Sequence, residues 1–266
     1  MMLEPRFERL KLEPTYRVLA KRITDLVLSG GLKPGDSLPT ELVLCEQFGV
    51  NRSSVREGIR LLEEAGILRR INPKRLVVSR PTAQELGQHL ERGLLLQEVT
   101  FLELWETAMV IEPQTAALAA RHLEPADLEA LEANLVATEL AIGDPIELTQ
   151  LDVEFHSLLA RGVHNRVWQL AREPMVRLFY PAFEAVLSQV PESGARLLKA
   201  HRAIIGVLRT GDSEEAARWM EKHIKDFKRG FQLASLDLNM AVLQANRAAR
   251  EVATKRGQEM GKTSQS

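Results

Sequence analysis

From Pro81 onward the apolar residues recur at helical spacing almost without interruption. The breaks carry proline or glycine: Glu124-Pro125, Gly143-Asp144-Pro145, Pro191-Glu192-Ser193-Gly194 and Gly211-Asp212. The pattern predicts seven helices, over residues 83–96, 100–121, 125–142, 146–162, 165–188, 194–209 and 213–250. Helices of this length on short loops hide their apolar faces by packing as a bundle. Sparse aromatics, 5% of the 266 residues, fit helix better than a β-sandwich. A single cysteine, Cys45, excludes an internal disulfide framework and a Cys-rich zinc module, and fits a reducing compartment. No run of eighteen apolar residues exists, and the acidic, proline-containing start is not a signal peptide. The expectation is a soluble cytoplasmic protein with no membrane partner.

The first third differs. Residues 1–80 hold fifteen Lys/Arg against ten Asp/Glu, and the remainder twenty against twenty-six. A basic segment joined to an acidic one suggests separate tasks, one of them facing an anionic polymer. A helix is expected from Thr15 to Leu28, a second capped by Thr40 and ending near Phe48, and Gly49 supplies the turn. A third starts near Ser53, where Ser54 and Glu57 have capping-box spacing, and buries Val55, Ile59 and Leu62. Two β-like runs, 67–69 and 76–78, flank Asn72-Pro73-Lys74 as a hairpin. Three helices and a hairpin make a winged helix-turn-helix, with the start of the third helix offered to the DNA major groove. There Arg52 and Arg56 stand one helical turn apart and can reach guanine edges or phosphates. Ser53 and Ser54 can take phosphate, and Arg69, Arg70, Lys74 and Arg75 charge the wing. The blander reading is a solvated basic helix face. The domain expectation is a flexible arm over 1–14, the winged helix over 15–80, a helical effector and dimerisation domain over 81–250 and a disordered tail over 251–266.

Within the helical part, Asp152 and His156 are four apart and share a face with Val153, Leu159 and Ala160. His201 lies among Leu197, Ile204, Ile205 and Leu208, and His223 among Trp219, Met220 and Phe227. Three imidazoles and a carboxylate could converge on one divalent ion, a donor set that suits Zn²⁺, Ni²⁺, Mn²⁺ or Fe²⁺. Three separately satisfied core histidines would give the same spacing. A metal-dependent enzyme is a further alternative, but Glu154, two residues from Asp152, points away and no other base or nucleophile stands out, so no catalytic residue is expected.

The ordered string Leu32-Lys33-Pro34-Gly35-Asp36-Ser37-Leu38-Pro39-Thr40-Glu41, then Phe48 to Glu57 and Leu61 to Leu68, resembles the GntR family of bacterial transcription regulators over about residues 15–80. The resemblance implies that Arg52, Ser53, Ser54 and Arg56 contact double-stranded operator DNA. Two positions depart from the family: Leu42 stands where arginine is usual, and Asn72-Pro73-Lys74 replaces a glycine-rich wing tip. Residues 151–159 with Asn165, and 200–204 through Gly211-Asp212 to His223, resemble the FCD effector domain of the FadR subgroup. That resemblance implies a mainly α protein, a winged helix followed by an FCD-type bundle of six or seven helices. It also implies a homodimer, and a metal held by Asp152, His156, His201 and His223. His89, His122 and His164 match no ligand position. Relatives carry an arginine before the Glu112-Pro113-like pair that can hold a ligand carboxylate; Ala108 and Met109 stand here instead. The expected function is a regulator, not an enzyme, whose operator binding responds to a small organic acid. Either the metal anchors the acid, another arginine such as Arg161 or Arg177 substitutes, or the effector is less polar; metal anchoring is the favoured expectation. A metal-free helical dimerisation module is the remaining alternative.

Overall fold

The computed structural model describes residues 13–73, 75–81 and 83–245, without the side chains of Ala83, Gln84, Pro174, Val176 and Arg177. Most of the expected arm, the whole of the expected tail and the wing residue Lys74 lie outside the described residues. The chain divides into two compact units, one to residue 82 and one from 83.

The first unit contains α1 (Thr15–Leu28), α2 (Glu41–Phe48), α3 (Arg52–Glu64), β1 (Leu68–Asn72) and β2 (Arg75–Val78). Leu19, Ile23, Leu44, Val55, Ile59 and Leu62 close its core with Leu68, Leu76 and Val78 from the hairpin. β1 and β2 pair antiparallel with Leu68 opposite Val78 and Arg70 opposite Leu76, and the register slips between Arg70 and Asn72. Ser37 adds a bridge to Val77, so the segment before α2 lies along the hairpin. Gly49 ends α2 at φ 65°, a left-handed turn that glycine adopts without a Cβ penalty, and the chain reverses at once into α3.

α3 begins at Arg52, and its cap is Asn51, whose side chain accepts from the Ser54 amide at 2.8 Å. The Ser54–Glu57 pair therefore does not form the start expected of it; Asn51 captures the orphan amide first. Gly58 faces α1, where an added Cβ would lie 2.7 Å from Leu19 Cδ2 and 3.0 Å from the Tyr16 carbonyl oxygen. Leu19 can rotate, but the carbonyl belongs to the backbone of α1. Gly58→Ala is therefore expected to force α1 and α3 apart at a cost of about 1–3 kcal/mol. Calorimetry should show the winged-helix transition lowered. Gly206→Ala, in open space on a helix of the second unit, should leave stability level or slightly raised.

The second unit is all helical: α4 (Ala83–Leu96), α5 (Phe101–His122), α6 (Pro125–Leu140), α7 (Pro145–Gly162), α8 (Arg166–Leu178), α9 (Tyr180–Gln189), α10 (Glu192–Leu208) and α11 (Ser213–Leu233). Thr100 caps α5 in a reciprocal box with Glu103, and Asp144 and Asp212 cap α7 and α11. α5 lies along α11, and α6 against α7. Ala116, Ala119, Leu131, Phe155, Leu159, Ile204, Ala216 and Met220 form the main core.

Two expected helices differ. The segment 165–188 is two helices, because Pro181 sits in the first turn of α9 and cannot donate into a continuing ladder. Over residues 83–233 the seven expected helices thus become eight, and among the described residues a further helical turn follows over 242–245. The helix that starts at Ser213 ends at Leu233 instead of running on: Ser235 takes φ 53°, and the chain folds back so that Val242 N–H donates to the Val99 carbonyl. The apolar rhythm continued past 233 because Leu236, Leu238 and Val242 pack on Phe101 and Phe231 from that returning segment. Among the described residues no helix is long and apolar enough to cross a membrane.

Candidate metal centre and DNA-facing helix

α7, α10 and α11 bring Asp152, His156, His201 and His223 together, with one donor atom of each within 4.8 Å of all the others. Asp152 Oδ1 is 3.2 Å from His201 Nε2, 3.5 Å from His223 Nε2 and 3.9 Å from His156 Nε2. His156 Nε2 and His223 Nε2 are 3.1 Å apart. Donors bound to one ion at about 2.0–2.2 Å stand roughly 3–3.5 Å from one another, so the spacing fits a shared ion. Hydrogen bonding explains it less well. Both His201 nitrogens and Asp152 Oδ1 are buried without a hydrogen-bond partner. Buried polar atoms are rarely left so, at a cost of about 1–3 kcal/mol each, and a cation at the cluster would satisfy His201 Nε2 and Asp152 Oδ1 together.

The protonation pattern agrees. Burial pushes His201 down to about 4, against the opposing pull of Asp152 and with the help of His223, so its ring is neutral near pH 7 and its lone pair is free. Burial raises the Asp152 carboxyl, but the imidazoles of His201, His223 and His156 set close around it outweigh burial and hold the group well below the usual carboxylate range. Phe155 stacks on His201 with ring centroids 3.6 Å apart and fixes that ring's plane.

Two residues behind this cluster were not foreseen from the sequence. Glu112 Oε2 on α5 lies 2.8 Å from His156 Nδ1, and Arg172 Nε on α8 donates to Glu112 Oε1 at 2.6 Å. A proton on His156 Nδ1 shared with Glu112 leaves Nε2 unprotonated towards the cluster, the carboxylate–histidine arrangement common behind metal ligands. Burial raises Glu112, and the charge of Arg172 with the hydrogen bonds from His156 and Arg172 overcomes it, leaving the carboxyl at about 2. A signal for Arg172 was present: it sits at helical spacing from Trp168, Met175 and Phe179, an arginine on an otherwise apolar stripe.

Asp152, His156 and His223 open onto a cavity of about 850 Å³, counted out to its mouth, whose wall also includes Glu112, Arg172 and Met175. Ala108 is in that wall, so the departure in α5 leaves it without a cation there; Met109 packs against the core. Arg161, expected beside an effector, is exposed in the last turn of α7 and does not line this cavity. The Arg177 side chain lies outside the described residues. Glu154 is exposed and accepts from Asn134, His164 pairs with Asp127, and His89 and His122 are exposed.

On the first unit, Arg52 and Arg56 project from the start of α3 with side chains 69% and 59% exposed, open to a large partner. Each Nε donates to Glu41 Oε2, at 3.2 and 2.9 Å, so both guanidinium planes are held by α2. Ser53 donates to Asn51 Oδ1, and Ser54 is half-buried beside it. On the wing, Arg75 donates to Ser37, whereas Arg70 is engaged by Glu63 and the Pro73 carbonyl and adds less free charge than expected. Leu42, at the position where arginine is usual, is exposed.

Comparison with known proteins matches residues 15–78 to the gntR family of bacterial regulatory proteins and residues 103–226 to the FCD domain. The Glc operon transcriptional activator of Escherichia coli (strain K12) is 26% identical over 235 residues, 84% of this chain and 91% of that protein. The HTH-type transcriptional repressor NanR of Cronobacter sakazakii is 27% identical over 194 residues, 71% of this chain and 75% of the relative. A solved Streptococcus agalactiae GntR structure superposes with a TM-score of 0.58 at 28% identity, covering 80% of this chain and 99% of that one.

Proposed function

Starting from the premise that this chain belongs to the gntR family of bacterial regulatory proteins and carries an FCD domain, a DNA-binding transcriptional regulator, we propose that its helical unit senses a small organic acid through a bound divalent ion. The observation that carries this reading is the buried tetrad of Asp152, His156, His201 and His223, three of which face one cavity while His201 and Asp152 lack partners. Zn²⁺, Ni²⁺ and Mn²⁺ all suit three imidazoles and one carboxylate. An ion there would be a Lewis-acidic anchor for a carboxylate. The chain's own part is to fix the donor atoms, hold His156 in one tautomer through Glu112, and wall the acid off from water.

Two copies would pair so that their α3 helices read the halves of a pseudopalindromic operator. The acid would shift the pair between arrangements of different half-site fit, by no more than its differential affinity for them. One relative is an activator and another a repressor, so kinship leaves the sign of the response open. Cytoplasmic DNA is the partner this function requires.

The test is thermal. A ligand binding only the folded state stabilises it by about 2.7 kcal/mol at a hundredfold excess over its dissociation constant. A small acid should raise the melting temperature of the metal-loaded protein, do so far less after chelation, and change operator affinity. An acid series that leaves the metal-loaded protein and its operator affinity unmoved would refute the sensing role.

A further inference from the structure

Arg172 is one of the largest fully buried side chains in the molecule, 1% exposed, and it stands in the wall of the cavity. Its Nε is occupied by Glu112 at 2.6 Å, but Nη1 and Nη2 have no hydrogen-bond partner. A guanidinium cannot shed its charge at any working pH, and its donors form a flat fork. Leaving the terminal nitrogens of a buried fork empty is costly, and Glu112 cannot serve them, since its other oxygen faces His156.

We propose that Arg172 is the carboxylate-binding residue of this cavity, taking a small monocarboxylate on its two free Nη groups. This rests on the acid-sensing reading above and names the side chain that would read the acid. Shape favours a carboxylate, whose two oxygens match a guanidinium edge. Charge favours a single one. Arg172 and a divalent ion, set against Asp152 and Glu112, leave one positive charge; Asp226, also in the wall, is already neutralised by Arg196 at 2.8 Å. A monoanion cancels that charge and a dianion overshoots it. Met175, Phe179, Phe183 and Val186 supply an apolar wall for the body of the acid.

The experiment is calorimetric titration of metal-loaded full-length protein with acetate, propionate and lactate, each beside its neutral amide. Wild type should bind at least one acid, and bind the matching amide roughly tenfold or more weakly, as loss of a charge-assisted fork implies. Arg172→Met should weaken that acid by a similar factor, erase the acid-over-amide preference and keep its bound ion. Arg172→Lys, with the charge but not the fork, should fall between. Because Arg172→Met strands the Glu112 charge and can disturb folding, the Arg172→Met/Glu112→Gln pair removes both charges together. Arginine side-chain NMR on wild type gives an independent readout: saturating acid should slow exchange of a guanidinium resonance that the amide leaves unchanged. Equal affinity for acid and amide in wild type, or undiminished acid affinity in an ion-retaining Arg172→Met, would overturn the proposal. If no acid binds wild type with its ion in place, the acid-sensing reading itself fails, an outcome visible before any variant is made.

Discussion

His201→Ala is expected to strip the protein of its divalent ion and to lower its melting temperature by several degrees. Wild type should carry about one ion per chain by elemental analysis, because a four-donor site has no spare ligand. At a hundredfold excess over its dissociation constant such an ion contributes about 2.7 kcal/mol, and each kcal/mol shifts a unit of this size by roughly 2–4 °C. Chelated wild type separates loss of the ion from loss of the ring: the two should melt close together, with His201→Ala somewhat lower because Phe155 loses its stacked neighbour. Glu112→Gln should keep the ion but bind it about 10–100-fold more weakly, since the amide orients His156 less firmly. His164→Ala, on the surface beside Asp127, should change nothing in metal content.

Acid should act in the same direction. His201 is held at about 4 in the folded protein against an ordinary value near 6.5, so the unfolded chain binds the proton first. Stability of the metal-free protein should therefore decline as pH falls from about 6.5 through about 4, and the ion should be released over the same fall as protons compete for the nitrogens. Wild type that stays metal-free in zinc, nickel and manganese, and melts alike in each, would leave the histidines a purely structural role.

How much of this site the sequence disclosed follows from the range of each contact. Asp152 and His156 share one helical face, which spacing alone reveals. His201 and His223 stood out as imidazoles on apolar stripes; the FCD resemblance, not spacing, set them with Asp152 and His156, and the folded chain brings the four together. Glu112 and Arg172 are 60 residues apart, and neither has a local partner that announces it. Arg161 and Arg177 were the arginines considered, because nearness in sequence to α7 and α8 says nothing about facing. The face matters: four residues from Trp168 and three from Met175, Arg172 turns inward while Arg161 turns out. The fold shows the same limit. Pro181 was a readable break, whereas the end of α11 was not, since Leu236, Leu238 and Val242 keep an apolar rhythm that a returning segment of turns can also satisfy.

Arg56→Ala is expected to lower specific operator affinity by about 1–3 kcal/mol, roughly tenfold to more than a hundredfold, and Arg52→Ala by a comparable amount. Both side chains leave the first two turns of α3 on the exposed face, beside helix-terminal amides that attract phosphate. Their Nε atoms share Glu41 Oε2, so each guanidinium reaches DNA already oriented. Glu41→Gln should therefore lower affinity less than either arginine change, and chiefly by loosening both. Because the two arginines share that carboxylate, their losses should not add.

Salt separates their roles. A residue meeting phosphate lowers the steepness of the salt dependence by about one when removed and weakens all sequences alike; one reading a base leaves that slope nearly intact and relaxes specificity at one position. Bound-fragment selection with footprinting would supply the operator, and titrations at several salt concentrations would assign each arginine. Arg229→Ala, on the exposed face of α11, serves as the control. Recovery of no specific site, with Arg52→Ala and Arg56→Ala indistinguishable from Arg229→Ala, would remove α3 as the reading helix. Loss confined to specific sites, with weak background binding retained, would place the guanidinium groups on base edges and leave the wing and the α3 amides to carry the phosphates.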